Sequence, residues 1–126
     1  HNDASTAALS SLLQKQLPDK KILAVMGMMA DKDIDKALAH LLPCFSSVIT
    51  TTPSNQRALD AQSLCEKIRE KNVSSRPVPD PIEAVDLGLT LLKNYDAMVV
   101  CGSLYLAGDT RRHLMDRIHE LFTKGS

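Results

Sequence analysis

Three polar stretches in this chain carry residue types that hold or move charge. Gly27-Met28-Met29 leads to Asp31 and Lys32; Thr51-Thr52-Pro53-Ser54-Asn55 leads to Arg57; Gly102-Ser103 precedes Tyr105, Asp109 and Arg111. Lys and Arg pair with carboxylates and phosphates. Hydroxyls and amides give directional hydrogen bonds, and glycine lets a backbone come close to a ligand. Such a set leaves room for a small anionic ligand held by a few local donors. Each stretch also has a plainer reading. Thr51 to Asn55 can serve as helix cap and turn, Gly102-Ser103 as a strand-to-helix turn, and Arg111 and Arg112 as solvated charges. Arg57 is expected early in a helix, where a cation opposes the macrodipole. That misfit raises the prospect of a carboxylate or phosphate partner.

Several chemistries lack their parts. There is no Gly-x-x-x-x-Gly-Lys-Ser/Thr and no Gly-x-Gly-x-x-Gly, so neither a P-loop nor a dinucleotide fingerprint is present. His1, His40, His113 and His119 form no metal-ligand spacing. His40 reads as a helix-end or packing residue, and His113 and His119 as residues on the polar side of the last helix. Ser103 lacks a Gly-x-Ser-x-Gly setting. Cys44, Cys65 and Cys101 are odd in number and widely spaced, with no Cys-x-x-Cys pair, and read as reduced, mostly buried thiols. A self-contained enzyme is hard to assemble from these residues, and no catalytic or metal-ligating set is expected within them.

The elements that must position these stretches alternate. Apolar residues recur at helical spacing in Ala4–Leu17, with Asn2 or Asp3 to cap and Pro18-Asp19 to close. Lys21–Met26 is an almost unbroken apolar run, as in a strand covered on both faces. A helix over Ile34 to Leu42, capped by Asp31 or Asp33 and limited by Pro43, precedes a strand over Phe45–Thr50. A long helix from about Asn55 to Lys71 follows, then a short strand over Val73–Val78 whose Pro77 and Pro79 make it a poor central one. Asp80-Pro81-Ile82-Glu83 reads as a capping box with proline in the first turn. Tyr95–Cys101 is the last strand, Leu104–Ala107 a short apolar passage, and a terminal helix runs through Leu114 to Phe122. The pattern predicts a three-layer α/β/α sandwich on a mainly parallel sheet. Ligands of such sheets bind beyond the C-terminal strand ends, where all three polar stretches fall.

With 126 residues, an apolar share of 44% and a charged share of 24%, the chain fits one ordinary globular domain. Aromatics are 3%, so aliphatic side chains and Met must build the core. Fifteen acidic and fifteen basic side chains give a net charge of +0, which argues against nucleic acid. No apolar run approaches the ~20 residues of a membrane helix, and no secretory leader is legible. The chain opens on His1 rather than Met, which suggests a fragment or a processed product.

Four ordered motifs carry a resemblance. His1-Asn2 is similar to the end of an Asp-Gly-Ala-His-Asn-Pro motif. Ile22–Asp33, with Asp31-Lys32-Asp33 its most telling triplet, is similar to a strand and following loop. Thr52–Ala58 fits Pro-x-x-Arg-Ala, and Gly102–Arg111 fits Gly-Ser-Leu-Tyr-Leu-x-Gly-x-x-Arg. Together they make the chain resemble the C-terminal domain of folylpolyglutamate synthase and bifunctional dihydrofolate synthase, relatives of the Mur ligases. The resemblance implies a Rossmann-like domain spanning residues 1–126 of a larger cytoplasmic enzyme of folate and one-carbon metabolism. That enzyme uses ATP and Mg to form an acyl phosphate on a folate carboxylate, which the amino group of glutamate attacks. Its partners would be an N-terminal P-loop domain, folate and glutamate, with no nucleic acid and no membrane; the fragment alone would require no cofactor and be inactive. The resemblance further implies that His1 and Asn2 lie near the nucleotide and Ser103 near glutamate, with Asp31, Lys32, Arg57, Tyr105 and Arg111 as possible cleft residues.

Two departures qualify the match. Asp3 stands where the family has Pro, and the Asp-Gly-Ala and the strand preceding His1 are absent, so the sheet is expected to lack one native strand. Two other readings stay open: the corresponding domain of a Mur-type peptidoglycan ligase, and a freestanding flavodoxin-like binding or interaction module.

Overall fold

The computed structural model describes residues 3–30 and 33–125. His1, Asn2, Asp31 and Lys32 lie outside them. Strands β1 (Ile22–Met26), β2 (Ser47–Thr50), β3 (Ser74–Pro77) and β4 (Ala97–Cys101) form one sheet in the order β3-β2-β1-β4, and every pairing is parallel. Helices α1 (Asp3–Gln16), α2 (Ile34–Leu41), α3 (Ala61–Glu70), α4 (Pro81–Leu91) and α5 (Leu104–Gly125) alternate with them. The expected α/β/α sandwich is the fold.

Strand alternation splits β1 between two cores, because successive side chains point to opposite faces. Ile22, Ala24 and Met26 join Leu13 of α1, Leu38 and Leu41 of α2, and Leu64 and Ile68 of α3. Leu23 and Val25 join Ala84 and Val85 of α4, with Leu114 of α5 packed against them. All five residues of β1 are buried, which is what an unbroken apolar run in a central parallel strand requires. β3 and β4 are the edges. Pro77 therefore sits at an edge, where its missing donor is tolerated.

Several boundaries depart from the sequence reading. In α1 the stripe is narrower than expected: Leu13 is buried and Leu9 and Leu17 are partly buried, but Ala8 is exposed and Leu12 is 54% exposed. Asp33 is the cap of α2, accepting from the Lys36 amide at 3.1 Å. Phe45 is buried in the core without joining β2. Asp80 occupies the N-cap position of α4, but its side chain makes no capping bond, so the capping box is not formed. The largest revision is at α3, which begins at Ala61, not near Asn55. Asp60 accepts from the Ser63 amide at 2.9 Å, and the Thr52 hydroxyl accepts from the Ala61 amide at 2.9 Å. These bonds satisfy the orphan donors of the first turn and fix the start there. Conversely, α5 is one continuous helix through Gly108, not an apolar passage followed by a helix.

Candidate functional site

The connections β1-α2-β2-α3-β3 place α2 and α3 on one face of the sheet, and β4 returns on the other side of β1 with α5 on the opposite face. The order of strands reverses between β1 and β4, and ligands of open α/β sheets bind beyond the strand ends at such a reversal. Gly27 and Gly102 leave β1 and β4 at this point. The Gly27 amide donates to the Cys101 carbonyl at 3.2 Å. Gly102 has φ +112, and a Cβ there would stand 2.2 Å from the Gly27 carbonyl oxygen. A Cβ on Gly27 would stand 2.8 Å from the Pro53 ring. The floor of the crevice is thus backbone against backbone, and only glycine fits on both sides.

Ser103 stands just before α5. It is buried, and its Oγ accepts from the Tyr105 amide at 3.0 Å, so the hydroxyl caps the helix. Tyr105 itself is 48% exposed and Leu104 71% exposed beside it. Arg111 lies further along α5 and is exposed. Arg112 is exposed as well and pairs with Asp116 one turn on, at 3.4 Å.

The stretch after β2 does two jobs. The threonines here are structural: Thr50 Oγ1, at the end of β2, donates to the Ala61 carbonyl at 2.8 Å, and Thr51 Oγ1 to the Pro79 carbonyl at 2.9 Å. Helix capping at the start of α3 accounts for Thr52, and contacts distant in sequence account for Thr50 and Thr51. Ser54 to Arg57 instead form a compact loop. Asn55 Oδ1 accepts from the Arg57 amide at 2.9 Å, an Asx-type turn. The Arg57 carbonyl accepts from the Ala30 amide at 2.7 Å, the Met28 carbonyl from the Leu59 amide at 2.9 Å, and Met29 pairs with Ala58 as an antiparallel bridge. Arg57 therefore belongs to an exposed loop laid against the β1 loop, and no helix macrodipole opposes its charge.

The structure thus gathers Gly27, Ser54–Arg57, Gly102 and Ser103 at one end of the sheet. The sequence places Asp109 only near the last polar stretch and gives it no task. In the fold its Oδ2 accepts from the Ser54 amide at 2.8 Å across 55 positions of sequence. A carboxylate in the second turn of α5 is the one available signal, and it gains meaning only once α5 is continuous. His113, expected on the polar side, is half-buried and reaches Asp86 of α4 at 2.7 Å, where it ties the two helices together. Among the described residues no three His, Cys, Asp or Glu side chains group closely enough to hold a metal ion. No described helix is long and apolar enough to cross a membrane.

Burial, with the charge of Cys44 as a lesser cause, pushes the Cys101 thiol up to about 12. Although it stands beside the crevice, it holds its proton at neutral pH and is no nucleophile. All three cysteines are free thiols, Cys65 and Cys101 buried and Cys44 partly so.

Residues 1–104 match the family described as Mur ligase, glutamate ligase domain. The dihydrofolate synthase/folylpolyglutamate synthase of Mycobacterium tuberculosis is 29% identical, the match covering 88% of this chain and 26% of that protein. Folylpolyglutamate synthase of M. tuberculosis complexed with ADP and AMPPCP superposes with a TM-score of 0.82 at 28% identity, over 90% of this chain and 28% of that one. E. coli FolC in complex with DHPP and ADP gives a TM-score of 0.79 at 25% identity, over 95% and 27%. The bifunctional folylpolyglutamate synthase/dihydrofolate synthase of Yersinia pestis complexed with AMPPNP and Mn ion gives 0.76 at 28% identity, over 94% and 27%. The chain spans about a quarter of the length of each relative.

Proposed function

Since the chain belongs to the Mur ligase glutamate ligase domain family, we propose that it is the C-terminal domain of an ATP-dependent ligase that joins glutamate to a folate carboxylate through an acyl phosphate. The observation that carries this reading is the strand-order reversal between β1 and β4, where Gly27, the Ser54–Arg57 loop, Gly102 and Ser103 gather, set in a fold that matches folylpolyglutamate synthases. ATP and Mg are assigned to the ligase as a whole, in keeping with relatives whose structures hold ADP and AMPPCP, or AMPPNP and Mn.

In this reading the domain is one wall of a closed cleft, and its contribution is placement and exclusion of water. Amide formation from an acyl phosphate competes with hydrolysis, so a wall that holds the amine at the reacting carbon and keeps water out raises the useful rate. The tight Gly27–Gly102 floor keeps side-chain bulk out of the crevice. Ser103 at the start of α5 lies toward glutamate, and the Arg57 loop, with Tyr105 and Arg111 on α5, rims the opening. His1 and Asn2 are assigned to the nucleotide side, and Asp31 and Lys32 to the cleft.

Because a single wall cannot preorganise both partners, the 126-residue chain is expected to bind ATP and glutamate each with Kd weaker than ~1 mM, no more than about 4 kcal/mol of binding free energy. Titration by calorimetry or NMR measures this. Micromolar affinity for either ligand alone counts against the split-site reading.

A further inference from the structure

Helix α5 and the loops after β2 and β1 are joined by an unbroken path of contacts, and one end of that path is a single carboxylate. Asp109 Oδ2 on α5 accepts from the Ser54 amide at 2.8 Å. Ser54 follows Pro53, whose ring abuts the Gly27 backbone. From there Asn55 takes the Arg57 amide at 2.9 Å, and the Arg57 carbonyl takes the Ala30 amide at 2.7 Å. Ala30 is the residue before Asp31 and Lys32. The path therefore runs from the helix after β4, through the loop after β2, to the loop after β1. Its other links are backbone atoms, the Pro53 ring against Gly27 and the local Asn55 turn. Along this path Asp109 is the side chain, among the described residues, that ties the helix after β4 to the loop after β2.

We propose that Asp109 is a positioning residue for the ligase reaction, a latch that fixes the Ser54–Arg57 loop and the Ala30 turn relative to α5. The proposal rests on the functional reading above, since it is that reaction which makes the loop's position matter. The link is charge-assisted, because a carboxylate accepts from an amide, and such bonds are the stronger ones. Ser54 is exposed, so its amide turns to water when the carboxylate is removed. Losing the latch frees the loop without leaving a buried donor unpaired, and the effect falls on placement, not on folding. A loop released in this way must be ordered again by each substrate molecule, which weakens substrate capture and leaves the chemical step of the fully bound complex nearly unchanged.

The test compares Asp109→Ala with Asp109→Asn, which keeps an acceptor oxygen in the same place. In the 15N-labelled 126-residue chain, Asp109→Ala is expected to speed amide exchange at Ser54 by about tenfold, equivalent to ~1.4 kcal/mol of local protection, while Asp109→Asn stays within about threefold of the parent. In the polypeptide that contains this chain, Asp109→Ala is expected to raise the glutamate KM about fivefold with kcat within about twofold, and Asp109→Asn to restore most of the loss. An unchanged KM in Asp109→Ala overturns the proposal, as does an Asp109→Asn enzyme impaired as badly as Asp109→Ala. If the parent polypeptide shows no glutamate-dependent turnover at all, the functional reading fails instead, and the exchange measurement alone decides whether the latch exists.

Discussion

Gly102→Ala tests the crevice floor. The added methyl would stand 2.2 Å from the Gly27 carbonyl oxygen and 3.1 Å from its carbon, on a residue with φ +112. Restoring ordinary van der Waals separation takes a shift of roughly 1 Å. The atoms to be moved are backbone, so no side chain can swing aside. The conformation itself costs an L-residue about 1–3 kcal/mol. Separating the loops also strains the Gly27 amide to Cys101 carbonyl bond, now 3.2 Å, worth about 0.5–1.5 kcal/mol net. The expected loss is about 2–5 kcal/mol, a large part of the roughly 5–15 kcal/mol that holds a typical domain folded. Gly108→Ala is the matched control, since a Cβ there meets nothing within 4 Å. In a helix interior that change should stabilise by about 0.5–1 kcal/mol. Urea unfolding followed by circular dichroism reads both. With a slope of ~1–3 kcal/mol per molar, Gly102→Ala should lower the midpoint by about 1 M or more, and Gly108→Ala should leave it level or raise it. A Gly102→Ala midpoint within about 0.3 M of the parent would refute the packed floor.

Ser103→Ala removes the cap on the Tyr105 amide and should cost about 1 kcal/mol in the same unfolding experiment; in the polypeptide that contains this chain it should also raise the glutamate requirement, and an unchanged requirement removes Ser103 from the proposed glutamate site. Cys101 keeps its proton in the folded chain to about 12, whereas an unfolded thiol releases it near pH 9, roughly. Stability should therefore fall as pH rises from about 9 toward 12, by up to ~1.4 kcal/mol per pH unit, and Cys101→Ala should show a shallower alkaline decline; equal slopes would contradict the buried thiol. The Asp60 carboxyl is held below its ordinary range by the Ser63 amide and then by the Ser63 hydroxyl. Its stabilisation of α3 is present above the unfolded value and lost as pH falls through the lower folded one, so Asp60→Ala should lower the melting temperature at neutral pH and narrow its further drop in acid.

Sheet and helices were legible because their signals are local. The unbroken run of β1 and the period of α2 fix both element and burial, and the prolines around β3 marked an edge strand. The start of α3 was not legible. Asn55 and Asp60 are both good capping residues, and the choice between them is made by distant partners: Met29 bridges Ala58, and Thr52 satisfies the Ala61 amide. The continuity of α5 was hidden for a similar reason, because Gly108 reads as a break in sequence and is simply tolerated in a helix capped by Ser103. Among the described residues, Gly27, Ser54–Arg57 and Gly102-Ser103 did come together at the strand ends. Which of their hydroxyls serve the fold and which line a crevice depends on contacts across 28 positions for Thr51 and 55 for Asp109, and local pattern does not carry such information.

If this domain hands glutamate to an activated folate, the product itself carries the proof. Mass spectrometry reads it, with the polypeptide that contains this chain incubated with ATP, Mg, glutamate and a reduced folate. The expected product is a folate heavier by one glutamyl residue, formed only when ATP and glutamate are both present, and absent when the 126-residue chain is used alone. A folate of unchanged mass from the larger polypeptide, or an extended one from the isolated chain, would contradict that role.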